Sequence, residues 1–223
     1  MPDLNAFKET ASTDAFALQN NYMLKVRLSQ GSIFAQKGSM VAYQGDVSFE
    51  HQSGGLGKMF KRAVTGEGQS LMSVSGSGEV FLADQGKRVH LLQLNGETMT
   101  VNGRALLAID AGIEWDIQRV QGGAAGMMAG GLFNTTLKGT GSVAVLTDGE
   151  PLLLDVAEAP TFADAQAAVA WSGGVTTSLK TDIKAFKSMT GRASGESFQL
   201  AFGGTGWVLV QPSEGPQVVT TSS

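Results

Sequence analysis

The sequence predicts an all-β chain of three internal repeats, and three observations carry that reading. Gly-x-Gly followed by a short apolar run occurs at Gly76–Ala83, Gly139–Leu146 and Gly204–Val210. The copies start about 64 residues apart, the spacing of one supersecondary unit repeated in tandem. In every copy an alanine sits five residues before a β-branched residue, as Ala42 and Val47, Ala108 and Ile113, and Ala170 and Val175. The 30 glycines are spread along the chain beside only 5 prolines, a balance that suits many short strands and tight turns.

Taken in order, residues 1 to about 20 are polar and aperiodic, an arm with room for an added edge strand. The first repeat opens at Met23–Leu28, where apolar and basic residues alternate. That pattern predicts a half-buried strand with Lys25 and Arg27 in water. Then come Lys37–Tyr43, a turn, and Val47–His51. The second repeat has Asn102–Ile109, a turn and Ile113–Ile117, and the third has Ala167–Trp171, the turn Ser172–Gly174 and Val175–Leu179. Each Gly-x-Gly reads as a turn before a strand, because glycine reverses the chain at positive φ without a Cβ penalty. Asn95-Gly96, Asn102-Gly103 and Asp148-Gly149 favour the type I′ turns of hairpins.

Each unit has one apolar face and buries it against its neighbours. The chain is therefore read as a single domain over 1–223, with repeats at about 22–86, 88–150 and 151–211, a flexible tail at 212–223, and one shared core round a pseudo-threefold axis. Insertions break the strand pattern at the same place in each repeat: 54–64, 122–131 and 179–189. They carry Lys58, Met59, Phe60, Lys61, Arg62, Met127, Met128, Phe186 and Met189, and equivalent insertions fall on one face of a repeat assembly. Met-rich, Gly-flanked segments adapt to varied partners, and a basic apolar turn suits an anionic membrane surface. The plainer reading is an amphipathic turn whose Met59 and Phe60 cap the core.

Composition excludes several classes. With 42% hydrophobic and 16% charged residues the chain is globular. A net charge of −4 argues against binding a nucleic-acid backbone, which depends on Lys and Arg. The absence of cysteine rules out disulfides and thiolate chemistry and fits a cytoplasmic location. Met1–Asn5 has no basic region before an apolar core, so no signal peptide is expected, and no apolar run approaches the length of a membrane-spanning helix.

No constellation points to a reaction. A dinucleotide loop needs a third glycine and a following helix, and a serine nucleophile needs a Gly-x-Ser-x-Gly elbow; neither is present. His51 and His90 have no companion ligands at metal spacing. Asp110, Glu114 and Asp116 cluster, but the last two alternate with Ile113, Trp115 and Ile117 and read as the wet face of a strand. No catalytic residue, metal or cofactor is expected.

The Gly38–Ala42 strand, the Met59–Arg62 insertion with Gly66–Gly68, Gly76–Val80, and Gly131–Asn134 with Gly139–Gly141 resemble the altered-inheritance-of-mitochondria (twenty-four) family, over roughly residues 20 to 211. The resemblance implies a β-sandwich like that of the tryptophan RNA-binding attenuation protein, with three repeats in one chain. Mitochondrial members are associated with inner-membrane organisation, and the family supplies no catalytic residue to carry over. The expected function is a non-enzymatic scaffold or binding protein that self-associates through the insertions, with a protein or membrane surface as a further partner. The alternatives are a module binding a small molecule near the pseudo-axis or between repeats and, less favoured, a hydrolase.

Overall fold

Val, Leu, Ile and Thr runs punctuated by glycine fold as fourteen strands and no α-helix among the described residues of the computed structural model, which are 3–51, 71–119, 133–180 and 199–213. In chain order the strands are β1 (Phe16–Asn20), β2 (Met23–Gln36), β3 (Met40–His51), β4 (Leu71–Leu82), β5 (Arg88–Asn102), β6 (Leu106–Asp110) and β7 (Glu114–Arg119). They continue with β8 (Phe133–Thr147), β9 (Leu152–Asp155), β10 (Thr161–Asp164), β11 (Ala168–Ser172), β12 (Val175–Lys180), β13 (Gln199–Gly204) and β14 (Trp207–Val210). Every pairing is antiparallel. An eleven-stranded sheet runs β3-β4-β2-β6-β8-β5-β11-β14-β9, with β1 on β2 and β7 on β8, and a three-stranded sheet runs β10-β13-β12.

One arrangement recurs along that order. The strand that carries or directly follows a Gly-x-Gly lies between two strands from earlier in the chain: β4 between β3 and β2, β8 between β6 and β5, β14 between β11 and β9. Registers agree as well. Ala42 faces Phe81, Ala108 faces Ala144 and Ala170 faces Leu209, and a register shift immediately precedes each of the three alanines. Neighbouring thirds are joined by short ladders of one kind. Ile33, Phe34 and Ala35 of β2 face Asp110, Ile109 and Ala108 of β6, while Met99, Thr100 and Val101 of β5 face Ser172, Trp171 and Ala170 of β11.

The glycine pairs do more than turn the chain. Gly76 and Gly78 lie inside β4, and Gly139 and Gly141 inside β8, all at positive φ; Gly204 instead ends β13 and Gly206 lies between β13 and β14. The expected hairpin turns are thus bends within long strands. In β4 close backbone approach is the cause: a Cβ on Gly76 would sit 2.2 Å from the Asp46 carbonyl oxygen, and one on Gly78 2.0 Å from that of Gln44. The break after Gly204 carries the chain from the smaller sheet to the larger. Two of the predicted type I′ turns are corrected similarly. Asn95-Gly96 is a bulge in β5, with Gly96 at φ 95°, and Asn102-Gly103 opens a 3-10 turn in which the Asn102 side chain accepts the Arg104 N–H. The turn expected after Tyr43 is also absent, since β3 runs unbroken through Gly45 at φ 94°. Asp148-Gly149 does end β8, with Gly149 at positive φ.

Buried side chains gather in three clusters rather than the single core expected. The first centres on Leu24, Val26, Val74 and Leu82, the second on Met99, Leu106, Ile109 and Leu137, and the third on Trp171, Phe202 and Val208. Leu107, Ala108, Ala144 and Leu146 of the second third pack in the first cluster, so the ladder between β2 and β6 is backed by shared apolar contacts. The tail from residue 214 lies outside the described residues.

Candidate functional site

The arm before β1 is polar but not loose. Gln19 on β1 accepts the Thr10 N–H and donates to the Lys8 carbonyl, and the Arg27 N–H donates to the Ala15 carbonyl. The arm covers Lys25, which is only 3% exposed, whereas Arg27 is in water as the alternation predicts. A buried ammonium requires partners. Lys25 Nζ pairs with Glu9 of the arm and with Glu79 Oε1 of β4 at 3.0 Å, and donates to the Thr10 carbonyl at 3.3 Å. Hydrogen bonds donated to Glu9 and then to Glu79 raise the lysine pKa against the opposing effect of burial, and the same Lys25 bond holds the Glu9 carboxyl below its ordinary value. The expectation that both cations of β2 are solvated is therefore wrong for Lys25, because period-two reasoning cannot see an arm that folds back over the strand.

Next to this clasp a cleft of about 490 Å³ opens between the arm, β2 and β6, with Thr13, Phe16, Arg27, Leu28, Ile33 and Asp110 in its wall. Two backbone irregularities lie beside it: the β2 bulge at Gln30, held at φ 56°, between the lining residues Ser29 and Gly31, and Gly141, where a Cβ would approach the Asp110 side chain to 2.9 Å. Asp110 Oδ2 accepts the Ser142 N–H at 2.5 Å, so part of its acceptor capacity is spent on structure. Glu114 and Asp116 are exposed and lie on the strand's wet face, as the alternation predicts. The cleft offers one cation, one carboxylate and apolar walls, a set that can hold an amphiphilic small molecule.

His90, on β5, faces Thr147 rather than a ligand set. Its Nε2 lies 2.7 Å from Thr147 Oγ1, and that hydroxyl donates to the Gly149 carbonyl at 2.6 Å, so Nε2 carries the proton and donates. Burial lowers its pKa, opposed by Glu150 and aided by Arg88, which itself pairs with Glu150 at 2.8 Å. Among the described residues no group of three or more His, Cys, Asp or Glu side chains is placed to hold a metal ion. Because the folded imidazole resists protonation, the unfolded chain binds the extra proton as pH falls below about 6.5. Stability is expected to decline from pH 7 toward pH 5, and urea midpoints across that range should show a shallower decline in His90→Gln. Parallel curves for the two proteins would remove His90 as the cause.

Lys58, Met59, Phe60, Lys61, Arg62, Met127, Met128, Phe186 and Met189 all lie outside the described residues. The strand ends that flank them correspond: His51 faces Met72, Arg119 faces Phe133 and Lys180 faces Gln199 across three adjacent pairs. Exposed apolar side chains that sequence reading passed over lie elsewhere. Met40, Val41 and Tyr43 on β3, Leu152 and Leu153 on β9 and Phe162 on β10 are all 40–61% exposed, and each of these strands is at a sheet edge.

The family model for mitochondrial biogenesis AIM24 matches residues 16–213. The chain belongs to the AIM24 family. The match starts at β1 and ends just past β14, so it takes in all the strands of both sheets. No curated protein matches the chain. Among solved structures, the crystal structure of a Streptococcus pyogenes protein from structural genomics has a TM-score of 0.71 and 22% identity, covering 89% of this chain and 92% of that one. This likeness is one of fold. For an AIM24 chain it carries no activity, and no helix among the described residues is long and apolar enough to cross a membrane.

Proposed function

We propose that this AIM24-family chain is a non-enzymatic scaffold that self-associates, built as three repeats of the tryptophan RNA-binding attenuation protein type. The recurring strand order and the shared alanine register support the repeats. The observation that carries self-association is the placement of Met40, Val41, Tyr43, Leu152 and Leu153 on edge strands, where apolar side chains beside an open ladder invite another chain. The insertions form a second contact face in this reading, open to a protein or a membrane surface, and a cytosolic location accords with a chain that has no cysteine. A binding module with its ligand in the cleft beside Arg27 and Asp110 is the second reading, supported by that cleft's mixed lining.

Native mass spectrometry of protein purified without denaturation tests both. A defined multimer without added mass is the expected result. A monomer carrying a reproducible small adduct would overturn the scaffold and favour the cleft. Replacing Met59, Phe60, Met127, Met128 and Phe186 with serine should lower the multimer's mass or its binding to partner or vesicle. If neither changes, the insertions are not a working face.

A further inference from the structure

The ladders that join neighbouring thirds are made twice within the chain, and the halves of a third remain at its surface. At each made junction the first strand of one third lies against the alanine-bearing strand of the next: Ala35 faces Ala108, and Val101 faces Ala170. All four residues are fully buried or nearly so. Equivalent positions in the unmade junction follow from the registers. Ala42 corresponds to Ala108 and Ala170, since each faces the fifth residue after the first glycine of its pair. Ala163 corresponds to Ala35 and Val101, since they face Leu200, Met72 and Thr135, each four residues before that glycine.

Ala42 is exposed, unlike its two counterparts, and Ala163 is partly exposed where Ala35 and Val101 are at 0%. Among the described residues β3 pairs with β4 alone, and β10 is an outer strand of the smaller sheet. Beside Ala42, Val41 is 55% and Tyr43 49% exposed.

We propose that the first half of β3 takes β10 of a second copy of this chain, in the register of the two internal junctions. Ala42 then faces Ala163 of the second copy, Tyr43 faces Phe162 and Gln44 faces Thr161. The proposal rests on the self-association reading and specifies its surface and geometry. The contact is heterologous: each copy offers β3 to one neighbour and β10 to another, so copies assemble head to tail. Ladder hydrogen bonds supply affinity, and the shared bulge before the alanine fixes register.

The chain's lack of cysteine makes a direct test possible. Facing residues of an antiparallel pair lie about 4.5–5.5 Å apart at Cα, within disulfide reach. Ala42→Cys and Ala163→Cys chains, with different tags and co-expressed, are oxidised mildly and run without reductant. The expected result is a disulfide joining the two tags, while neither variant alone links to itself. Self-linking of Ala42→Cys would overturn the proposal in favour of β3 meeting β3. An internal disulfide in the monomer of Ala42→Cys/Ala163→Cys would overturn it by closing the junction within one chain.

Native mass of the wild type separates the two levels. A multimer without the mixed disulfide overturns this register and leaves the scaffold standing; a monomer overturns both. Val41→Lys, which puts a charge on the edge without removing a core contact, should convert the multimer to monomer at the same protein concentration. An unchanged multimer in Val41→Lys would also overturn the proposal.

Discussion

Gly76→Ala is expected to destabilise the fold by at least ~3 kcal/mol, enough to lower Tm by roughly 6–12 °C in a domain of this size. Two costs coincide at this position. At φ 122° an L-residue is strained, and its Cβ would stand 2.2 Å from the Asp46 carbonyl oxygen, a backbone atom of β3 that moves only if the β3–β4 ladder moves with it. The three first glycines should rank by this second cost. Gly204→Ala, with a carbonyl at 2.4 Å, should follow Gly76→Ala closely. Gly139→Ala, whose nearest neighbour is at 3.6 Å, should lose only the φ term. Gly31→Ala has no positive φ and nothing within 4 Å, and is expected to be neutral or to gain a few tenths of a kcal/mol. Thermal and urea denaturation of the four variants measure the series. Equal losses at Gly76 and Gly31 would show that backbone approach is not what holds glycine in the long strands.

Those glycines also mark how far the fold is legible in the sequence. Their spacing and the alanines upstream point to equivalent positions, and the ladders place Ala42, Ala108 and Ala170 opposite equivalent partners. Local turn chemistry gave the wrong outcome at Gly76, Gly78 and Asn95-Gly96, because a glycine at positive φ serves a bend or bulge inside a strand as well as a hairpin. Sequence alone cannot distinguish the two, since at Gly76 and Gly78 the deciding contact is with the backbone of a strand some thirty residues distant. Much the same holds for the cleft. In the sequence Asp110 is one of three nearby carboxylates, but what separates it from Glu114 and Asp116 is the Ser142 N–H, supplied by another strand. The edge residues Met40, Val41 and Tyr43 looked like ordinary strand residues. Their meaning depends on which strands end the sheet, a property of topology rather than of any local pattern.

Removing both carboxylates of the Lys25 clasp is expected to cost about 3 kcal/mol or more, and much more than the two single losses together. In Glu9→Gln the ammonium keeps Glu79 at 3.0 Å, and in Glu79→Gln it keeps Glu9, so each single change should cost about 1 kcal/mol or less. In Glu9→Gln/Glu79→Gln the 3%-exposed Lys25 retains only neutral partners, and an unpaired buried charge is what proteins tolerate least. The chain's escape is to lift the arm and hydrate the ammonium. Limited proteolysis between residues 8 and 15 should therefore accelerate in the double variant and not in the singles. The pH dependence has two limbs. Glu9, with a lowered pKa, contributes stability that is complete above about 4.5 and fades as pH falls below it, while Lys25, with a raised pKa, contributes stability that fades only as pH climbs past about 10.5. Both limbs should flatten in the double variant. Additive losses, or an arm equally resistant to protease in all three variants, would mean that the clasp does not fasten the arm and that the Gln19 bonds to Thr10 and Lys8, with the packing of Phe16 and Ala17 on β1, do.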